Sequence, residues 1–79
     1  PIIAHPERYT YFHDNYDLVD KLKEEDVLFQ CNYASIIGYY GKSSEKLFRY
    51  MLKKGYVDYL GTEAFENVFT FVRIQSLFL

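Results

Sequence analysis

Apolar positions along this chain come in short blocks whose spacing switches between that of strands and that of helices. Pro1-Ile2-Ile3-Ala4 is an apolar run that stops at His5-Pro6. Proline disfavours a helical conformation in the residue before it, so the run reads as a strand with His5 at its end. Leu18, Val19 and Leu22 share one helical face, which predicts a helix over Tyr16 to Glu24 capped by Asp14 or Asn15. Lys21, Lys23, Glu24 and Glu25 take the opposite face. Val27 to Asn32 is a continuous apolar run, the pattern of a strand buried on both faces in a parallel sheet.

Tyr33 to Lys42 carries Gly38 and Gly41 and reads as a loop. Leu47, Phe48, Met51 and Leu52 form the buried stripe of a second helix, with Ser43 or Ser44 as its cap. Glu45 in its first turn and Lys53 and Lys54 in its last complement the helix dipole, and Gly55 is the expected left-handed terminator. Val57 to Leu60 reads as a third strand ending at Gly61-Thr62. Phe65, Val68, Phe69 and Val72 then fit a helical template, so a closing helix is expected; the run Phe69-Thr70-Phe71-Val72 also has the composition of a strand.

This β-α-β-α-β order plus a C-terminal helix is that of an α/β fold with a parallel sheet and right-handed crossovers. Reactive groups in such folds gather at the carboxyl ends of the strands. The places to look are therefore His5 to Arg8, Asn32, and Thr62 to Phe65. No internal repeat or linker interrupts the chain.

Composition narrows the class. Hydrophobic residues make up 49% of the 79 and aromatics 20%, including nine Tyr and seven Phe. Disordered chains are poor in such rings, so a core is expected, or apolar faces that await a neighbour, as a fragment would have. A chain this short is one domain at most and buries only about 60% of its unfolded surface. Nine basic and eleven acidic residues are interspersed, for a net charge of −2. With no basic stripe, nucleic-acid binding lacks electrostatic support. No apolar run approaches the roughly 18 residues of a membrane span, and no signal peptide is present, so a cytoplasmic protein is expected.

The string His5-Pro6-Glu7-Arg8-Tyr9 after an apolar strand carries the most chemistry. Imidazole at a strand end can be presented to a metal, and a planar, permanently charged guanidinium nearby can clamp a phosphate through two N–H groups. Together they suit phosphate ester hydrolysis. The structural alternative is a locally hydrogen-bonded His5 and an Arg8 paired with a surface carboxylate. Cys31, alone in the chain and inside an apolar run, reads as a small buried hydrophobe. His13, beside Asp14, reads as a solvated loop residue. Tyr9, Tyr11, Tyr16, Tyr33, Tyr39 and Tyr40 read as loop-packing residues around the proposed mouth, with binding of an aromatic phosphoester as the functional alternative. Gly41-Lys42-Ser43 is not a phosphate-binding loop, because Ile36 stands where its first glycine belongs.

The string from Ile2 to Tyr9 resembles the strand-end motif of the bacterial capsule-type tyrosine phosphatases, manganese-dependent enzymes of the polymerase and histidinol phosphatase (PHP) superfamily. The likeness continues through Leu28 to Asn32, Ile37 to Lys42 and Lys53 to Thr62, so it is collinear from Pro1 to Thr62. It implies a fragment of a distorted PHP-type (β/α) barrel, a manganese cluster (Mn2+) with His5 as a ligand, and phosphate binding by Arg8. It also implies a phosphotyrosine protein as substrate, such as a bacterial tyrosine kinase controlling capsule or exopolysaccharide export. The family's third strand ends in a pattern whose Asp and His both ligate metal; here Glu63 and Phe65 stand in those places. Glu63 can ligate through a longer arm and Phe65 cannot. The family's N-terminal ligands have no counterpart, so the chain reads as a partial phosphatase domain with a divergent tail over 63–79. The alternative is an inactive remnant that packs against a partner, or against itself, through Phe65, Phe69, Phe71, Phe78 and Leu79.

Overall fold

Strand β1 (Ile2–Ala4) lies parallel to β2 (Leu28–Asn32), with Ile2 opposite Leu28 and Ala4 opposite Gln30. The computed structural model describes the backbone of residues 1–63 and 69–73 and the side chains of residues 1–61. Parallel neighbours need a long crossover, and this one runs through α1 (Thr10–His13) and α2 (Tyr16–Glu24). Helix α2 has the expected bounds, and of the two candidate caps Asn15 is used: its Oδ1 accepts from the Leu18 N–H at 3.3 Å. Strand β3 (Tyr59–Glu63) continues the parallel sheet, with Asn32 opposite Gly61, after a crossover through α3 (Lys42–Lys54).

The α/β class is as expected, with three corrections. First, β3 starts later than the apolar run suggests, because Val57 and Asp58 precede it: Val57 is buried, and the Asp58 N–H donates to the Phe29 carbonyl at 3.0 Å. Second, α3 begins before either serine. Gly41 is its N-terminal boundary at φ 103°, ψ 165°, a region essentially reserved for glycine, and Ser44 is buried inside the first turn. The segment before it is not a plain loop but a 3-10 turn over Tyr33–Ile37, closed by Gly38 in the left-handed region. Third, Phe69–Arg73 is a strand, β4, antiparallel to β3, with Glu63 opposite Phe69 and Tyr59 opposite Arg73. The open edge of β3 offers backbone groups that a second strand satisfies and a helix cannot. The rest of the expected closing helix and the tail residues Phe65, Phe78 and Leu79 lie outside the described residues.

The core is built from Phe12, Val19, Val27, Phe29, Cys31, Leu47, Phe48, Met51 and Val57, all buried. In β2, Phe29 and Cys31 are buried while Leu28 and Gln30 are only half-buried, so the strand is less deeply enclosed than its apolar run suggests. Gly55 ends α3 in the left-handed conformation as expected. Among the described residues no helix is long and apolar enough to cross a membrane.

Helices α2 and α3 are joined by a polar contact as well as by packing. Asp20 Oδ1 accepts from the hydroxyls of Tyr50 and Tyr56, both at 2.7 Å. Those bonds, Tyr50's first, hold the Asp20 carboxyl below its usual range, and the bond to Asp20 pushes each phenol up to about 12. A depressed acid contributes stability that is complete above its unfolded pKa of about 3.9 and lost as pH falls through the folded value. A raised phenol contributes stability that is complete below its unfolded pKa of about 10; that contribution is lost as pH rises through about 12. The thermal midpoint is therefore expected to be flat from about pH 5 to 9 and to fall on either side. Tyr50→Phe with Tyr56→Phe should flatten both limbs, by about 1 kcal/mol or less because the site is partly solvated. Thermal unfolding of the two chains across pH checks this.

Candidate functional site

The carboxyl ends of β1 and β2 are bridged by the tight segment that follows β1. The His5 N–H still donates to the Gln30 carbonyl at 2.7 Å, so the residue continues the ladder. Its backbone then turns left-handed, at φ 55° and ψ 46°. His5 thus ends the strand as expected: proline disfavours the right-handed helical region for the preceding residue, and the sharp reversal selects the left-handed one. That conformation costs a non-glycine residue about 1–2 kcal/mol. Strain of this kind persists where the surroundings enforce it and is common at functional sites. Pro6–Arg8 forms a 3-10 turn closed by Arg8 N–H to the His5 carbonyl at 3.0 Å and Tyr9 N–H to the Pro6 carbonyl at 3.1 Å.

Glu7, at the centre of that turn, is fully buried. Its Oε2 accepts from the Asn32 N–H at 2.9 Å and from the Ser35 hydroxyl at 2.6 Å, which anchors the turn to the end of β2 and to the 3-10 segment after it. Its Oε1 is also buried and has no hydrogen-bond partner placed among the described residues. The Cys31 thiol, a weak donor, is its neighbour. Burial first, and then the Glu7 carboxylate, hold that thiol well above its usual range. Cys31 is thus the buried, unreactive residue its sequence context suggests.

Arg8 points outward. Its guanidinium carbon lies 4.3 Å from the centroid of the Tyr40 ring. Among the described residues it forms no ion pair, so the expected alternative of a surface carboxylate partner does not appear there. Arg49 differs, with Nε bound to Glu45 at 3.0 Å and a second nitrogen to the Ile36 carbonyl at 3.2 Å. Asn32, buried at the end of β2, caps the following turn through Oδ1 to the Ala34 N–H at 2.8 Å and reaches the Tyr40 hydroxyl at 3.4 Å.

The strand-end rule therefore gathers His5, Arg8 and Asn32 on one edge, and the backbone of Glu63 ends β3 at that same edge, beyond the Asn32–Gly61 pair. Among the described residues no three His, Cys, Asp or Glu side chains lie close enough together to hold a metal ion. His13 is not a solvated loop residue. It ends α1, and its Nε2 lies 2.7 Å from the Glu7 carbonyl. A carbonyl only accepts, so this nitrogen carries the proton. The six tyrosines separate: Tyr11, Tyr33 and Tyr39 are exposed, Tyr40 supports Arg8 and Tyr9 stacks on Phe12 of the core, whereas Tyr16 lies tilted against Tyr50 between α2 and α3. Sequence reasoning missed Glu7, Ser35 and His13 as parts of the site. Only Glu7, inside the His-Pro-Glu-Arg string, carried a signal.

Residues 1–74 match the family described as Capsular polysaccharide synthesis, CpsB/CapC. That span reaches past Thr62, where string-by-string likeness stops. No curated protein and no solved structure matches.

Proposed function

The chain belongs to the CpsB/CapC family of capsular polysaccharide synthesis, and on that premise we propose that it carries the phosphate-recognition edge of a phosphotyrosine-protein phosphatase. One observation supports this above the others: the Arg8 guanidinium lies over Tyr40 without a carboxylate partner among the described residues. A cation–π contact engages the face of the guanidinium and leaves its edge N–H groups available. Those groups match two oxygens of a phosphoryl group in plane, as a single ammonium cannot. The charge that builds on the phosphoryl oxygens during transfer is what such a clamp stabilises.

In this reading the three parallel strands belong to a PHP-type barrel, and His5 is one ligand of a manganese site to which Glu63 also contributes. Among the described residues the donors do not by themselves fit a complete ion site. The substrate is a phosphotyrosine protein such as a kinase governing polysaccharide export. The buried Glu7 and the His13 contact keep the turn closed around its strained His5, so Arg8 needs little reorganisation to meet its anion.

Binding and hydrolysis of a phosphotyrosine peptide, with and without manganese, test the reading, because binding reports recognition even where turnover is slow. Arg8→Ala is expected to weaken binding about 10- to 100-fold, the worth of a charged bidentate contact, and Arg8→Lys to recover only part of it. His5→Ala should abolish any manganese dependence. Binding and turnover that survive both Arg8→Ala and His5→Ala would overturn the assignment.

A further inference from the structure

Glu7 sits one residue before Arg8 and is fully buried, in a chain where an apolar side chain would fill the same volume at lower desolvation cost. Its contacts explain the retention of a charge better than packing does. The carboxylate is held from the β2 side by Asn32 N–H and Ser35 O–H, and its backbone carbonyl is held from the α1 side by His13 Nε2–H. Successive residues of a 3-10 turn point about 120° apart, so anchoring Glu7 inward sets the outward direction of Arg8. It also holds the left-handed backbone of His5 two residues earlier.

We propose that Glu7 is a positioning residue: its buried carboxylate, held by Asn32 and Ser35, together with its backbone carbonyl, held by His13, fixes where the Arg8 guanidinium meets a phosphoryl group. The inference rests on the phosphate-binding role of Arg8 proposed above. It names Glu7 as acting through Arg8, without contact to substrate.

The test compares Glu7→Ala, Glu7→Gln and Arg8→Ala in the full chain. Thermal unfolding first fixes a temperature at which each variant is folded. Affinity for a phosphotyrosine peptide is then measured at that temperature, so that lost stability does not pass for lost binding. Glu7→Ala is expected to weaken binding about tenfold in the folded state, and Glu7→Gln, which keeps an acceptor for the Asn32 N–H, about threefold. A second reading comes from the Arg8 Nε–H resonance. Tyr40 places it in a ring-current field in the parent chain, and it should move toward the free-arginine position in Glu7→Gln, a near-isosteric variant expected to stay folded. Loss of binding in Arg8→Ala with unchanged affinity and an unmoved Arg8 resonance in Glu7→Gln would overturn the positioning role and leave the phosphate reading standing. Unchanged binding in Arg8→Ala would overturn both.

Discussion

Phe48→Ala is expected to remove about 3–5 kcal/mol of stability, the usual cost of deleting a buried phenyl ring. Phe48 is 1% exposed and lies in α3, in a core shared with Val19, Phe29, Leu47 and Met51. The expected loss combines transfer of the ring to water with the cavity left behind, since packed neighbours relax only in part. A chain this small has limited stability to begin with; whole domains hold only about 5–15 kcal/mol. Much of the variant should therefore be unfolded at physiological temperature. Helix α3 also packs against the Pro6–Arg8 turn, so the candidate site should lose its form together with the core. Urea denaturation is the check: the midpoint should fall sharply at an unchanged slope. A loss under about 1 kcal/mol would mean that the core closes around the gap.

The second large effect belongs to Asp58, at the amino end of the sheet and opposite the candidate site. Its Oδ2 accepts from the Phe29 N–H at 2.8 Å and from Lys23 Nζ at 2.5 Å, and its own N–H bonds the Phe29 carbonyl. Lys23 also donates to the Val27 carbonyl at 3.0 Å and lies 5.0 Å from the centroid of the Phe29 ring. The two charged side chains are only 16% and 18% exposed, so they interact in a medium far less screening than water. Asp58→Ala strands both an ammonium and a backbone N–H, and is expected to cost about 3 kcal/mol. Lys23→Met keeps the apolar stem and should cost less. Thermal unfolding of the singles and the double gives the coupling, expected at about 1–2 kcal/mol. Additive losses would show that the pair acts as two separate contacts.

Lys23 illustrates how far hydrophobic spacing carries a reading. The pattern places it on the polar face of α2, and it does lie on that helix, but its ammonium turns under the sheet to meet an aspartate 35 residues away. Nothing local in the Lys21-to-Glu25 run distinguishes it from its neighbours. The misplaced His13 has the same origin, since its partner is a main-chain carbonyl exposed only by the turn at Pro6–Arg8. In both cases the deciding contact joins segments that the sequence separates.

Spacing and turn residues by themselves determined the parallel β-α-β-α-β order, the bounds of α2, the left-handed end of α3 at Gly55, and the gathering of His5, Arg8 and Asn32 at one edge. These follow from side-chain periodicity and from the backbone limits of proline and glycine, both of which act over a few residues. Tertiary structure decided what periodicity cannot encode. The segment at Phe69–Arg73 fits either period, and pairing with the open edge of β3 made it a strand. Glu7 is marked in the sequence only by its place in the His-Pro-Glu-Arg string, and folding alone brings Asn32 and Ser35 to its carboxylate. A buried charge is tolerated where distant donors converge on it, and that convergence is a property of the fold.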